Sequence, residues 1–96
     1  AGLDRARIAA IEAATGPLPL VIHGGTGVPQ ADRTALARET AICKFNIGTE
    51  LRQTFGAALR QTLAAHPTAF DRIEILRATE APLEAAARKV LRGLRP

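Results

Sequence analysis

Two short stretches of the chain carry residue types that could do chemistry. The first is His23 followed by residues 24–27, which read GGTG. An imidazole can bind a metal ion, or it can serve as a hydrogen-bonded structural group. Glycines let a ligand approach the backbone closely, and exposed backbone N–H groups suit an anion. A histidine directly before such a turn therefore favours metal-assisted chemistry on a phosphorylated substrate, with the structural role as the alternative.

The second stretch is residues 44–49, which read KFNIGT. Alternation along a strand places Lys44, Asn46 and Gly48 on one side, where polar side chains need a partner or a ligand. The Asn46 amide can donate to a substrate oxygen. Thr49 begins the next helical pattern, where its hydroxyl serves either as a plain N-cap or as part of a phosphate site at the helix N-terminus.

Each stretch belongs to an apolar segment typical of a buried strand, over residues 18–22 and 41–47. Helical patterns cover residues 3–14, 30–40 and 50–65, so helices and strands alternate along the chain. Strands that are apolar on both faces lie in parallel sheets covered on both sides, and an isolated two-stranded sheet is marginally stable in water. The pattern predicts an α/β fold in which these strands form part of a larger parallel sheet or barrel.

The helical patterns also predict which side chains are buried. The stripe of the first helix consists of Leu3, Ile8 and Ile11. In the second helix the residues predicted to face the sheet are Ala31, Ala35 and Leu36, and those predicted to face water are Arg33, Arg38 and Glu39. The long third helix has a stripe of Leu51, Phe55, Leu59 and Leu63.

Residues 68–95 read as further helices. Phe70, Ile73 and Leu76 indicate a short one. Pro82 is typical of the start of another, and its predicted inner face consists of Leu83, Ala87, Val90, Leu91 and Leu94.

Composition excludes several classes of protein. The net charge is +4, but the arginines are scattered among acids with no basic run or aromatic platform, which argues against nucleic-acid binding. The one cysteine, Cys43, excludes an internal disulfide, and its apolar surroundings predict a buried, unreactive thiol. No signal peptide and no apolar run of about eighteen residues occur. We expect a cytoplasmic protein with no membrane partner.

The pair HGGTG at residues 23–27 and KFNIGTELR at residues 44–52, in this order, resembles the C-terminal part of class II, zinc-dependent ketose-bisphosphate aldolases. That family includes fructose-bisphosphate and tagatose-bisphosphate aldolases. Residues 3–65 resemble it well and the tail loosely. The family usually has glycine where Ala41 stands and serine where Thr26 stands.

The resemblance implies a (β/α)8 TIM barrel, in which residues 18–23 and 42–47 resemble the seventh and eighth strands. It implies that His23 is one of three histidines holding a catalytic zinc ion, and that Asn46 is a catalytic residue contacting the dihydroxyacetone portion of the substrate. The implied substrate- and phosphate-binding residues are Gly24, Gly25, Thr26, Asn46, Gly48 and Thr49. A monovalent cation, Na+ or K+, is the second expected cofactor.

The activity that the resemblance implies is reversible cleavage of fructose 1,6-bisphosphate or tagatose 1,6-bisphosphate to dihydroxyacetone phosphate and glyceraldehyde 3-phosphate. This is a lyase reaction of carbohydrate metabolism and glycolysis, and the parent enzyme is expected to be a homo-oligomer. We expect residues 1–96 to be a partial barrel domain, with zinc- and phosphate-site strands and loops at 18–49 and a helical tail at 66–96. The other zinc ligands and the proton-transfer base are expected upstream.

Two alternatives remain. One is a phosphosugar-binding α/β protein without catalysis, which upstream zinc histidines and an aspartate base would exclude. The other is a nucleotide-binding βαβ unit, with Gly25-Thr26-Gly27 opening the fingerprint and Glu50 near the next strand's end as the ribose-binding acid. The last glycine of that fingerprint would fall at Gln30, which disfavours it.

Overall fold

The computed structural model describes residues 2–95 as a helix-rich α/β chain that divides into two compact units. The first unit comprises Ala1–Gly48 and Leu91–Pro96, and the second comprises Thr49–Val90. The expected alternation of helices and parallel strands is confirmed in the first unit. No helix in the described part of the chain is both long and apolar enough to span a membrane.

The first unit opens with helix α1, Arg5–Thr15. Asp4 is its N-cap, because the Asp4 carboxylate accepts a hydrogen bond from the Arg7 N–H at 3.0 Å. Gly16 ends the helix with φ of 68°, a value that L side chains rarely adopt. The predicted helix at residues 3–14 is therefore confirmed, displaced slightly towards the C-terminus.

The two strands are β1, Leu20–Ile22, and β2, Ile42–Phe45. They pair in parallel, with Leu20 opposite Ile42 and Ile22 opposite Phe45 and one irregularity after Leu20. Both are shorter than predicted. At the start of β1 the reason is Pro19, which has no N–H to donate to a neighbouring strand.

Helix α2, Gln30–Glu39, connects the strands and supplies the centre of the core. Leu36 is fully buried, and the cluster around it is completed by Ile8, Val28 and Ile42. Glu12 of α1 accepts a hydrogen bond from the Ala41 N–H, and the Arg5 guanidinium lies 2.5 Å from the Glu39 carboxylate. These two contacts join α1 to the end of α2 and the start of β2.

The second unit is helical. Helix α3 runs over Thr49–Ala65, and α4, Arg72–Arg77, lies against it. Helix α5 runs over Glu80–Gly93, so its last three residues belong to the first unit. Ala58 of α3 and Thr79 before α5 are buried.

Several burial predictions are wrong. Cys43 is exposed, because its side of β2 is uncovered within residues 2–95. Ile11 is 42% exposed, Leu63 41% and Leu91 65%, although each lies on a predicted apolar stripe. Ala31 is also exposed. The remaining error concerns Arg33, which was predicted to face water and is buried.

Candidate functional site

The side chains of His23 and Asn46 meet at the edge of the sheet. His23 follows the last residue of β1 directly, and Asn46 follows the last residue of β2. Because the strands are parallel, their carboxyl ends lie at the same edge. The Asn46 Nδ2 atom lies 3.1 Å from His23 Nδ1. The two residues singled out from separate stretches of sequence therefore form one polar pair.

The Asn46 backbone connects this edge to the glycine-rich turn. Its N–H donates to the Ile22 carbonyl at 2.9 Å, which extends the strand pairing one step beyond β2. Its carbonyl accepts from the Gly25 N–H, also at 2.9 Å. Asn46 is thus bonded to the end of β1, to the turn and to the imidazole.

Two glycines of the turn differ in conformation and in surroundings. Gly24 has φ of 65° and ψ of 41°, in the left-handed region. Gly25 is buried, and a Cβ there would lie 3.4 Å from both Ile47 Cγ1 and Phe45 Cδ1. Gly25–Gly27 forms one 3-10 turn, in which the Val28 N–H donates to the Gly25 carbonyl at 3.1 Å. The turn therefore packs closely against the residues at and just after the end of β2.

Arg33 of α2 binds the same turn. Its side chain is buried, with 6% of the residue exposed, and Nη2 donates to the Thr26 carbonyl at 3.0 Å. Periodicity could not identify this role, because an arginine can bury its aliphatic stem while its guanidinium binds a carbonyl. Arg38, on the same helix, is exposed as predicted.

His23 has the donor atom of a metal ligand, but the described residues do not supply the other ligands of a metal site. Its ring is exposed and offers a nitrogen donor of the kind zinc binds. With the Asn46 NH2 donating, Nδ1 is the acceptor and Nε2 carries the proton; rotation of the amide by half a turn reverses both roles. However, residues 2–95 contain no group of three or more His, Cys, Asp or Glu side chains placed to hold a metal ion. The described residues therefore supply one zinc ligand and no complete site.

Gly48 and Thr49 lie where the first unit ends and the second begins. Gly48 is half-buried, whereas Thr49 is exposed and is the first residue of α3. The Thr49 hydroxyl accepts a hydrogen bond from Arg52 Nη2 at 3.1 Å. A basic group beside that hydroxyl is compatible with an anion at the helix start, and the phosphate-binding roles of Gly48 and Thr49 stay predictions.

The chain was compared with known protein families. The family model described as class-II fructose-bisphosphate aldolase matches residues 1–95. The match covers both polar stretches and the helices α1 to α5. It therefore supports an aldolase-type lyase function at the level of the family.

Proposed function

Because the chain belongs to the class-II fructose-bisphosphate aldolase family, we propose that it forms part of the active site of a zinc-dependent ketose-bisphosphate aldolase. The substrate is fructose 1,6-bisphosphate or tagatose 1,6-bisphosphate, and the products are dihydroxyacetone phosphate and glyceraldehyde 3-phosphate. The observation that carries the proposal is the 3.1 Å contact between His23 and Asn46 beside the glycine-rich turn. This contact supports a site in which a metal ligand, His23, lies beside a substrate-binding amide, Asn46.

In this proposal His23 holds zinc through one ring nitrogen, and further ligands come from outside residues 2–95. Bound zinc supplies Lewis-acid polarisation of the substrate ketone. Zinc binding through Nε2 requires the ring proton on Nδ1, so in this proposal the amide is in its rotated orientation and the Asn46 oxygen accepts from Nδ1, which orients the imidazole. Both hydrogens of the amide nitrogen can then donate to oxygens of the dihydroxyacetone portion.

The glycine-rich turn binds the phosphate of that portion. Gly25 already donates its N–H to Asn46, so its contribution is the close approach that its missing side chain allows. Gly24 and Thr26 flank it and supply backbone contacts to the phosphate. Gly48 and Thr49 are further phosphate-binding residues in this proposal, with Thr49 at the start of α3. A monovalent cation, Na+ or K+, balances the phosphate charge.

The proposed architecture is a (β/α)8 barrel in which β1 and β2 are neighbouring strands. Support comes from the parallel pairing and from Val21, an apolar residue of β1 that is 41% exposed. An apolar strand residue exposed to this extent is typical of a sheet that continues into further structure. The proposed enzyme is a homo-oligomer.

The test compares the two histidines of the chain in the intact protein. His23→Ala should lower both zinc content and turnover, because the metal stabilises charge that develops in the transition state. His66→Ala is the matched control: His66 is exposed and follows α3, so zinc content and turnover should stay unchanged. Zinc stoichiometry by metal analysis and steady-state cleavage of both ketose bisphosphates provide the measurements.

Thr49→Ala separates phosphate binding from metal binding. Loss of a hydrogen bond to a charged phosphate should weaken substrate affinity by roughly ten- to a hundredfold and leave zinc content intact. Full zinc occupancy and normal turnover in His23→Ala would assign His23 a structural role and refute the proposal.

A phosphosugar-binding protein without catalysis is the second candidate. The observation in its favour is the single metal-binding histidine at the site within residues 2–95. Micromolar binding of ketose bisphosphate by the intact protein, with no bound zinc and no cleavage, would select this alternative.

A further inference from the structure

Arg33 is a buried cation, and its position requires a physical reason. Only 6% of the residue is exposed, and its Nη2 atom donates to the Thr26 carbonyl at 3.0 Å. Burying a guanidinium is costly unless its donors are engaged. An aliphatic residue on this face of α2 would fill the space without that cost, but it could not make the hydrogen bond to the turn.

This hydrogen bond controls the direction of one peptide unit. The Thr26 carbonyl and the Gly27 N–H belong to the same planar peptide, so holding the oxygen also sets the direction of the N–H. The preceding residue, Gly25, is held separately by the Asn46 carbonyl. Gly25 is therefore bound by Asn46, which follows β2, and the next residue, Thr26, is bound by Arg33 of α2.

The direction of the Thr26 carbonyl matters for an anion. A carbonyl oxygen carries partial negative charge and repels a phosphate, whereas N–H groups attract it. Glycines on both sides of Thr26 leave the backbone free to adopt other conformations. By binding the oxygen from the buried side, Arg33 keeps it directed at α2 rather than at solvent.

We propose that Arg33 is a positioning residue for phosphate binding, which acts through the Thr26 carbonyl and does not touch the ligand. The inference rests on the proposed function for the identity of the phosphorylated sugar. The role of Arg33 in orienting the turn rests on its contact with the Thr26 carbonyl and does not depend on which phosphorylated sugar binds.

The experiment compares Arg33→Met and Arg33→Lys with the control Arg38→Met in the intact protein. Arg38 is an exposed arginine on the same helix, so its variant makes the same change in charge away from the turn. Calorimetry measures the Kd for inorganic phosphate, and steady-state kinetics measures KM and kcat for fructose 1,6-bisphosphate. Circular dichroism reports whether each variant is folded.

The expected result is a selective loss of affinity. Arg33→Met should raise the phosphate Kd and the KM by roughly two- to twelvefold, the effect of losing one hydrogen bond, with kcat within about twofold of wild type. Arg33→Lys should fall between Met and wild type, because its ammonium has a shorter reach and a single donor position. Arg38→Met should keep the wild-type Kd.

Two results would overturn the inference. One is an unchanged phosphate Kd in folded Arg33→Met. The other is a fall in kcat at constant KM, which reports a smaller folded fraction and a purely structural role. If Arg33→Met does not fold, Arg33→Lys decides, and a wild-type Kd in that variant overturns the inference. If the wild-type protein binds phosphate but cleaves no ketose bisphosphate, the proposed function fails, while the Kd comparison still decides the role of Arg33.

Discussion

Replacing Gly24 by alanine tests whether the left-handed conformation after His23 is required. Gly24 has φ of 65° and ψ of 41°. Apart from Gly24 itself and its two chain neighbours, a Cβ added there would meet no described atom within 4 Å. The substitution therefore causes no overlap with more distant residues, and its effect measures the local backbone conformation.

The magnitude follows from two opposing terms. An L-residue in the left-handed region costs about 1–2 kcal/mol. Replacing glycine by alanine also reduces the entropy of the unfolded chain, which stabilises the folded state by about 0.4–1 kcal/mol. The free energy of unfolding of Gly24→Ala should therefore fall by about 1 kcal/mol.

Gly27→Ala is a matched control within the same turn. A Cβ at Gly27 also meets no described atom within 4 Å, but Gly27 does not have positive φ. Only the unfolded-state term applies, so this variant should be more stable than wild type by about 0.4–1 kcal/mol. The difference between the two variants isolates the left-handed cost, about 1–2 kcal/mol.

Urea unfolding of the intact protein measures the free energy of unfolding of both variants. The comparison holds if m, the slope of that free energy against urea concentration, is the same in both. Gly24→Asn adds a second check, because asparagine tolerates the left-handed region better than alanine and should recover part of the loss. Equal stability of Gly24→Ala and Gly27→Ala would refute the reasoning, because the turn would then accept an alternative conformation at Gly24.

Substitutions at three further positions test the packing of the fold. Leu36→Ala should lower the free energy of unfolding by about 2–5 kcal/mol, because Leu36 is fully buried; Leu36→Met should cost less than about 1.5 kcal/mol, as urea midpoints would report. Glu12→Ala removes the acceptor of the Ala41 N–H and should cost about 1–3 kcal/mol in the same assay, and a loss below about 0.5 kcal/mol would contradict a role for this contact. Phe70→Ser should change stability by less than about 0.5 kcal/mol, since Phe70 is 94% exposed, and a larger loss would place Phe70 in a packed environment.

Helix and strand positions could be predicted because local residues determine them. Gly16 ends α1 through its positive φ, and Pro29 precedes the first residue of α2. His66-Pro67 follows the end of α3 at Ala65. Glycine and proline act through backbone geometry, which does not depend on distant contacts. The ends of a strand depend on where its partner strand pairs with it. Both strands are therefore shorter than the apolar segments that predicted them.

The pairing of His23 with Asn46 could be anticipated in part. Both residues follow parallel strands, so the same edge of the sheet was predictable from topology. The specific contact between Nδ1 and the amide depends on register, which includes an irregularity after Leu20 that no sequence pattern indicates.

Burial of single side chains was the least predictable property. Helical periodicity assigned Arg33 to water by its charge, but the guanidinium finds a carbonyl within the fold. Cys43 was assigned to the interior by its apolar neighbours, yet it lies on an uncovered side of β2. In both cases the outcome depends on which segment packs opposite, information that a local pattern does not contain.

The bonding of Asn46 has a consequence for local unfolding. Its N–H is held by Ile22 at the strand end, and its carbonyl holds the N–H of Gly25 in the turn. An opening that moves the Asn46 backbone away from the sheet therefore breaks both hydrogen bonds in one event. Local openings of this kind expose amide hydrogens to exchange with solvent as a cooperative group. The amides of Gly25 and Asn46, although far apart in sequence, should therefore show similar protection from exchange. If the turn instead frayed by itself, the Gly25 amide would exchange faster than the Asn46 amide.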